Sequence, residues 1–313
     1  MKEWNDDLFD EAKIKKAVNK GKRKTFFKMI TIAVLVFLLL NVLNFVAYLY
    51  FSQRAFKQMD ASVRLSTPNA YISHVVESVG ILGGQAQYKV KKDMKHKAVA
   101  IEQSQYSFGL IPSLSISRGA GGSIGVTGED WQLSYKDNGW QELIFFHPSV
   151  TYKQYKNDET LIQELGDDHI YEVAFSFDKP YKPSDLPIFE FPAMSWFWIN
   201  TYDDEAVKSL QQHANETDWS ANFIREREAL GFSQNAPSYS ISSLEFGYES
   251  FLNLLQTSNW TEHKNAYKIL KDKDFEDIEI LGMVLYGTKE ELQKMFDHPI
   301  VKAASLGGVV DHY

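Results

Sequence analysis

The sequence predicts an α+β extracytoplasmic domain preceded by a single transmembrane helix. Met29 to Phe51 contains no charged residue; its 23 residues, at about 1.5 Å each, span roughly 34 Å, enough for a hydrocarbon core of about 30 Å. Nine Lys and Arg residues lie within 1–28, against three in the fifteen residues after the apolar run. By the positive-inside rule the N-terminus is cytoplasmic and everything beyond Phe51 lies outside. Past the span, strand-like runs alternate with capped amphipathic helices, the pattern of an α+β domain.

The first element is the cytoplasmic tail, residues 1–28. Acids lead and bases follow, as a helix macrodipole prefers, and Trp4, Leu8 and Ala12 recur at helical spacing. This reads as a weakly amphipathic helix ended by Gly21. One reading is a charged stop that orients the anchor and touches anionic lipid. Trp4, Leu8 and Phe9, however, lie far from the bilayer, where orientation has no use for large apolar groups, and the other reading makes them a docking face for a partner.

The second element is the span itself, residues 29–51. It ends without a small-residue cleavage pattern, so it is expected to stay as an anchor, and Tyr48 and Tyr50 suit an aromatic belt at the outer interface. Asn41 and Asn44 project from one helix face. An amide in lipid gains about 0.6 kcal/mol on average from a partner across helices. That favours contact with a second copy or another membrane protein; the alternative is an amide satisfied by its own i−4 carbonyl.

Residues 52–157 read as β-rich. WQLSYKDNGWQELIFF sets two strand-like runs around Asn138-Gly139, expected as a type I′ hairpin. GAGGSIGVTG, residues 119–128, lacks the Lys-Ser/Thr of a phosphate loop and reads as a surface loop. Residues 158–313 mix elements. DETLIQELG is a short helix, HIYEVAFSF and MSWFWINTY are strands, and SISSLEFGYESFLNLLQTS is a Ser-capped helix with Leu244, Tyr248, Phe251, Leu252 and Leu255 on one face. The chain then runs strand, helix, strand, with Thr288 and Glu291 forming a capping box.

Composition excludes several chemistries. There is no cysteine, which removes disulfides, thiolate metal sites and a cysteine nucleophile. The eight histidines form no HExxH and accompany no nucleophile elbow. Asp167-Asp168-His169 and Asp311-His312 are compact acid/His groups, read as turn residues. No catalytic residue, metal site or cofactor is expected. The outer part is acidic, so nucleic acid is not an expected partner. Trp196 and Trp198 share a strand face, which is either part of a buried core or an aromatic floor for a lipid or cell-wall ligand.

FDEAKIKKAVNKGKRK entering the apolar helix, RLSTPNAYIS after it, HIYEVAFSFDKPY followed by MSWFWIN, and the closing YGTKEELQKMFDHPIVKAASLGGV together resemble the membrane-bound sigma-factor regulators of Gram-positive bacteria. These are anti-sigma proteins with paired N-terminal and C-terminal regulatory domains. The resemblance implies a non-enzymatic, single-pass protein of the cell membrane. Its partners would be a sigma factor or a companion anti-sigma membrane protein, and the outer domain would sense envelope state. Self-association through the span is a further expectation. The alternative from another class is an anchored binding protein for a lipid or wall ligand.

Overall fold

The computed structural model describes residues 11–110, 123–125, 131–186, 195–234 and 241–312. It opens with one α-helix, α1, from Glu11 to Ser66. Gly21 does not end a tail helix as the sequence suggested: it is an interior residue of α1. One glycine costs about 1 kcal/mol in a helix interior, and helix formers on both sides outweigh that in so long an element. The most apolar stretch of α1 is uncovered by the rest of the protein. Its last turns are not, because Ala61 and Leu65 are buried in the main core.

The chain leaves α1 into a three-stranded antiparallel meander, β1 (Ala70–Val79), β2 (Gly83–Met94) and β3 (Lys97–Gly109), in the order β1-β2-β3. Strands β4 (Ser123–Gly125) and β5 (Leu133–Tyr135) form a small ribbon, followed by β6 (Ile144–Phe145). The turn at Asn138-Gly139 exists, closed by Gly139 N–H to Lys136 O at 2.9 Å and Lys136 N–H to Trp140 O at 2.8 Å. It is not type I′, which needs positive φ at both central residues. Only Gly139 has it, at 83°, and the Asn138 side chain instead accepts from Trp140 N–H at 3.1 Å. The returning arm pairs only at Gln141, across from Tyr135.

The second sheet is five-stranded and antiparallel. It comprises β7 (His169–Tyr181), β8 (Ser195–Ile199), β10 (Gly231–Gln234), β11 (Ile280–Gly287) and β12 (Val301–Asp311), in the order β10-β8-β11-β7-β12; β9 (Ile224–Arg225) pairs with β6 outside it. One face carries Val173, Phe175, Phe197, Met283 and Leu285 against the helices. These are α2 (Glu159–Glu164), α4 (Ile241–Thr257), α5 (Thr261–Leu270) and α6 (Lys289–Phe296). The expected face of α4 is correct: Leu244, Tyr248, Phe251 and Leu255 are buried there, with Leu252 packed alongside. The Thr288–Glu291 capping box opens α6 as expected.

The opposite face is covered as well. Ala174, Trp196, Trp198, Val284 and Tyr286 pack against Leu143, Phe145 and Ile224 from the connecting segments. Burial on both faces explains the near-continuous apolar strands β8 and β11. The helix α3 (Asp204–Glu216) was not evident in the sequence, nor was α5: both are amphipathic but polar on average, with few apolar residues to mark them.

Candidate coupling site

The two sheets meet at a buried cluster of charges. Lys92, on β2, donates to Glu172 Oε1 on β7 at 2.5 Å and to Glu226 Oε1 at 3.0 Å. Lys136, just past β5, donates to Glu226 Oε1 at 2.8 Å. The Tyr286 hydroxyl on β11 donates to Glu172 Oε1 at 2.8 Å and lies 3.3 Å from Pro68 O, two residues past α1. Backbone amides complete the shell: Gly308 N–H reaches Glu172 Oε2 at 3.0 Å and Leu143 N–H reaches Glu226 Oε2 at 3.1 Å. The Lys92 and Glu172 side chains are both 0% exposed.

Two lysines and two glutamates make the cluster formally neutral, and its electrostatics favour the ionised forms of Lys92 and Glu226. Burial alone pushes Lys92 down, but the carboxylates of Glu172 and Glu226 outweigh it and hold the ammonium above its ordinary value. Burial likewise pushes Glu226 up, while Lys136 and Lys92 together bring it down to about 2. Burial lowers Lys136, and burial with the Glu172 charge raises the Tyr286 hydroxyl well above the usual phenol range. Lys92, Glu172 and Glu226 are sealed from solvent, with Lys136 at the edge of the cluster. Removing one member of such a set leaves an uncompensated buried charge, at about 3–5 kcal/mol.

A second clasp lies one turn along. Lys95, at the β2–β3 turn with φ of 57°, bonds to Glu291 Oε2, the same carboxylate that accepts from Thr288 N–H at 2.8 Å to cap α6. Close by, Asn69 O accepts from Asp93 N–H at 3.1 Å and Asn69 N–H donates to Ser233 Oγ on β10 at 3.2 Å. The end of α1 is tied down by Gln58, whose amide donates to Thr257 O at 2.7 Å and accepts from Asn259 N–H at 2.5 Å. That one side chain closes the C-terminus of α4. A displacement of α1 therefore acts on both sheets and on α4 together.

Beside this junction is a cleft of about 780 Å³ between α1, β1, β10 and α4, lined by Arg64, Asn69, Tyr71, Asp93, Phe232 and Phe246 among others. Asn69 is 8% exposed, and neither its side-chain Nδ2 nor its Oδ1 has a partner among the described residues.

The residues singled out from sequence fall in several places. Trp4, Leu8 and Phe9 lie outside the described residues. Trp196 and Trp198 do share a face, but both are 0% exposed, covered by Phe145 at ring distances of 6.0 and 5.1 Å, and so form core rather than an open floor. The amides diverge. Asn41 Nδ2 donates to its own i−4 carbonyl, Phe37 O, at 2.8 Å, whereas Asn44 Nδ2 donates to Gly80 O at 3.1 Å and its Oδ1 accepts from Leu82 N–H at 2.5 Å. Asn44 is thus a clamp on the β1–β2 turn of the same chain, and the argument from unpaired amides to a neighbouring helix does not hold. His169 Nε2 lies 3.4 Å from Asp311 Oδ1; among the described residues no group of three or more His, Asp or Glu is arranged to hold a metal.

Sequence reasoning missed the charge cluster. Lys92 sits in KVKKDMKHK, which reads as a solvated cation run, but Glu172 gave a signal: it is a carboxylate inside the apolar strand HIYEVAFSF, where a charge needs a partner.

A helix long and apolar enough to cross a membrane, packed by its last turns into an α+β body whose two sheets meet at a buried charge cluster, defines the class as a membrane-anchored protein of two interlocked parts. Known family models fall on those parts: residues 15–99 match the sigma factor regulator N-terminal domain and residues 162–308 match the sigma factor regulator C-terminal domain. The chain belongs to the sigma factor regulators, a regulatory family of anti-sigma type. No curated protein and no solved structure matches it. The cluster joins the two matched regions, with Lys92 in the first and Glu172, Glu226 and Tyr286 in the second, and draws Lys136 from the segment between them.

Proposed function

We propose that this protein couples the state of the cell envelope to a sigma factor across the membrane. The N-terminus is cytoplasmic and the two sheets lie outside. Trp4, Leu8 and Phe9 hold the sigma factor directly, or hold a companion anti-sigma membrane protein that does. The observation that supports this reading is the continuity of α1 from Glu11 to Ser66. Residues 11–28 of the tail, the span and the buried contacts of the outer domain belong to one helix, about 84 Å long at 1.5 Å per residue. Burying Trp and Leu on a partner contributes roughly 1.5–3 kcal/mol each. Trp4→Ala with Leu8→Ala should therefore release the regulated transcription while membrane insertion stays intact. An unchanged transcriptome in that double variant contradicts the reading. Self-association of the span has lost its argument from the amides and is no part of this proposal.

The cleft favours a second reading, in which the outer domain is an anchored binder for a lipid or wall ligand. Its support is the unpartnered, buried Asn69 amide facing a cavity of ligand size. The two readings join if such a ligand is the signal, since the cleft borders the last turns of α1.

A further inference from the structure

The tip of the β1–β2 hairpin is built from the wrong residues for water. A two-residue hairpin turn in solvent ordinarily carries Asn-Gly or Gly-Gly; here Gly80 N–H closes on Gly83 O at 2.8 Å around Ile81 and Leu82. Ile81 is 81% exposed, Val79 59% and Leu110, bonded next to the turn through Leu82 O, 65%. Leu82 takes a left-handed φ of 53°, a conformation that a branched apolar residue adopts at a cost. The charge pattern agrees. From Ser78 to Tyr88 and from Gln103 to Leu110 there is no Asp, Glu, Lys or Arg. The tip end of the sheet is thus apolar or neutral except for Glu77 on β1, whose carboxylate is bonded to α1, while Lys89, Lys91 and Lys92 follow further down β2.

The position of this tip along α1 says what it faces. Strand β1 runs beside the helix and is pinned at two levels. The Glu77 carboxylate accepts from Ser52 Oγ at 2.6 Å and from the Tyr48 hydroxyl at 2.5 Å, and the turn itself is held by both ends of the Asn44 amide. Asn44 lies inside the uncharged run Met29–Phe51, seven residues or about 10 Å short of its outer end. If that whole run is immersed, the tip sits about 10 Å deep in the outer leaflet. If the span instead starts at Thr25, some 20 residues or about 30 Å of helix place its outer boundary at Asn44, level with the tip. Both placements bring Val79, Ile81 and Leu110 to lipid. Around the same level, the Phe108 ring lies between those of Tyr48 and Tyr106, at centroid distances of 5.7 and 6.1 Å, and tyrosines are enriched at a membrane interface.

We propose that the β1–β2 hairpin tip, with Leu110, is a second membrane-contacting element that inserts into the bilayer crossed by α1, so that acyl chains and not water or another protein cover Ile81. The outer domain then has two footholds in the lipid, the helix and the hairpin, and cannot swivel freely about α1. Lipid order or leaflet thickness would act on β1 directly, and through β2 on Lys92.

The absence of cysteine makes the test clean. Ile81→Cys, Leu35→Cys and Asp272→Cys each carry one environment-sensitive dye on the full chain, reconstituted in vesicles of phosphatidylethanolamine and phosphatidylglycerol with brominated acyl chains. The proposal expects the dye at position 81 to be blue-shifted and quenched by the brominated lipid, like that at position 35. The dye at position 272, which is 83% exposed, should be quenched by aqueous iodide instead. If position 81 behaves like position 272 while position 35 is quenched by lipid, the hairpin proposal is overturned and the membrane anchor stands. If position 35 also behaves as aqueous, both fail.

Discussion

Lys92 Nζ and Glu172 Oε1 meet at 2.5 Å with both side chains sealed from solvent, tying β2, the middle strand of the meander, to β7, an interior strand of the larger sheet. Lys92→Met leaves Glu172 and Glu226 without their shared cation, and should destabilise the protein by about 3–5 kcal/mol. Chemical denaturation of the purified chain in detergent measures this. Adding Glu172→Gln to Lys92→Met should recover part of the loss, because a neutral amide is less costly to bury than a charge; a loss that simply adds would mean the two groups do not share one cluster.

Acid should weaken the fold through His147. The ring is buried beside Trp198 and Tyr202, with Glu279 and Lys302 the charged groups that act on it, and burial pushes its pKa from the usual 6.5 down to about 4. The unfolded chain therefore takes up the proton first as pH falls. The stabilisation is fully present above about pH 6.5 and lost progressively toward pH 4, by up to about 3 kcal/mol. His147→Asn keeps an acceptor for Ser149 N–H, which lies 3.1 Å from Nδ1, and does not titrate. Melting curves between pH 7 and 4 should be flatter for that variant than for the parent.

Much of this architecture is legible in the sequence, because the residues carrying it act locally. The Thr288–Glu291 capping box and the apolar stripe of α4 each state their element outright. Trp196 and Trp198 were placed on one face by strand alternation alone, yet whether that face is open depends on Phe145 and Ile224 from distant segments, which no local pattern reports. The length of α1 was missed because its outer turns, Ser52 to Ser66, are kept helical by packing rather than by an amphipathic stripe. For the charge cluster, Lys92 and Glu226 are 134 residues apart, and nothing in KVKKDMKHK separates the one buried lysine from its solvated neighbours.

The two membrane amides should behave differently. Asn44→Leu removes both bonds to the β1–β2 turn and should raise hydrogen exchange at the Leu82 amide, which Asn44 Oδ1 accepts from at 2.5 Å. Asn41→Leu removes only a bond to its own helix and should leave the hairpin unchanged. Equal exchange in the two variants would remove Asn44 from its role as a clamp.

Topology is tested by an impermeant thiol reagent on intact cells. On the proposed orientation, with the cation-rich residues 1–28 inside, Asp272→Cys should react and Asn5→Cys should not. Labelling at position 5 alone would invert the orientation.

The central claim is that α1 carries the state of the outer domain to the tail as one helix, and the direct measurement breaks it where it touches nothing else. Gly21 is in the helix and open on all sides. A glycine-rich insertion after Gly21 interrupts the helix there, whereas seven alanines, about two turns, lengthen it while nearly keeping its phase. Output of the regulated promoter is then read under envelope challenge. The account predicts that the alanine insertion responds like the parent and the glycine insertion no longer responds. A glycine insertion that responds as fully as the parent would contradict it.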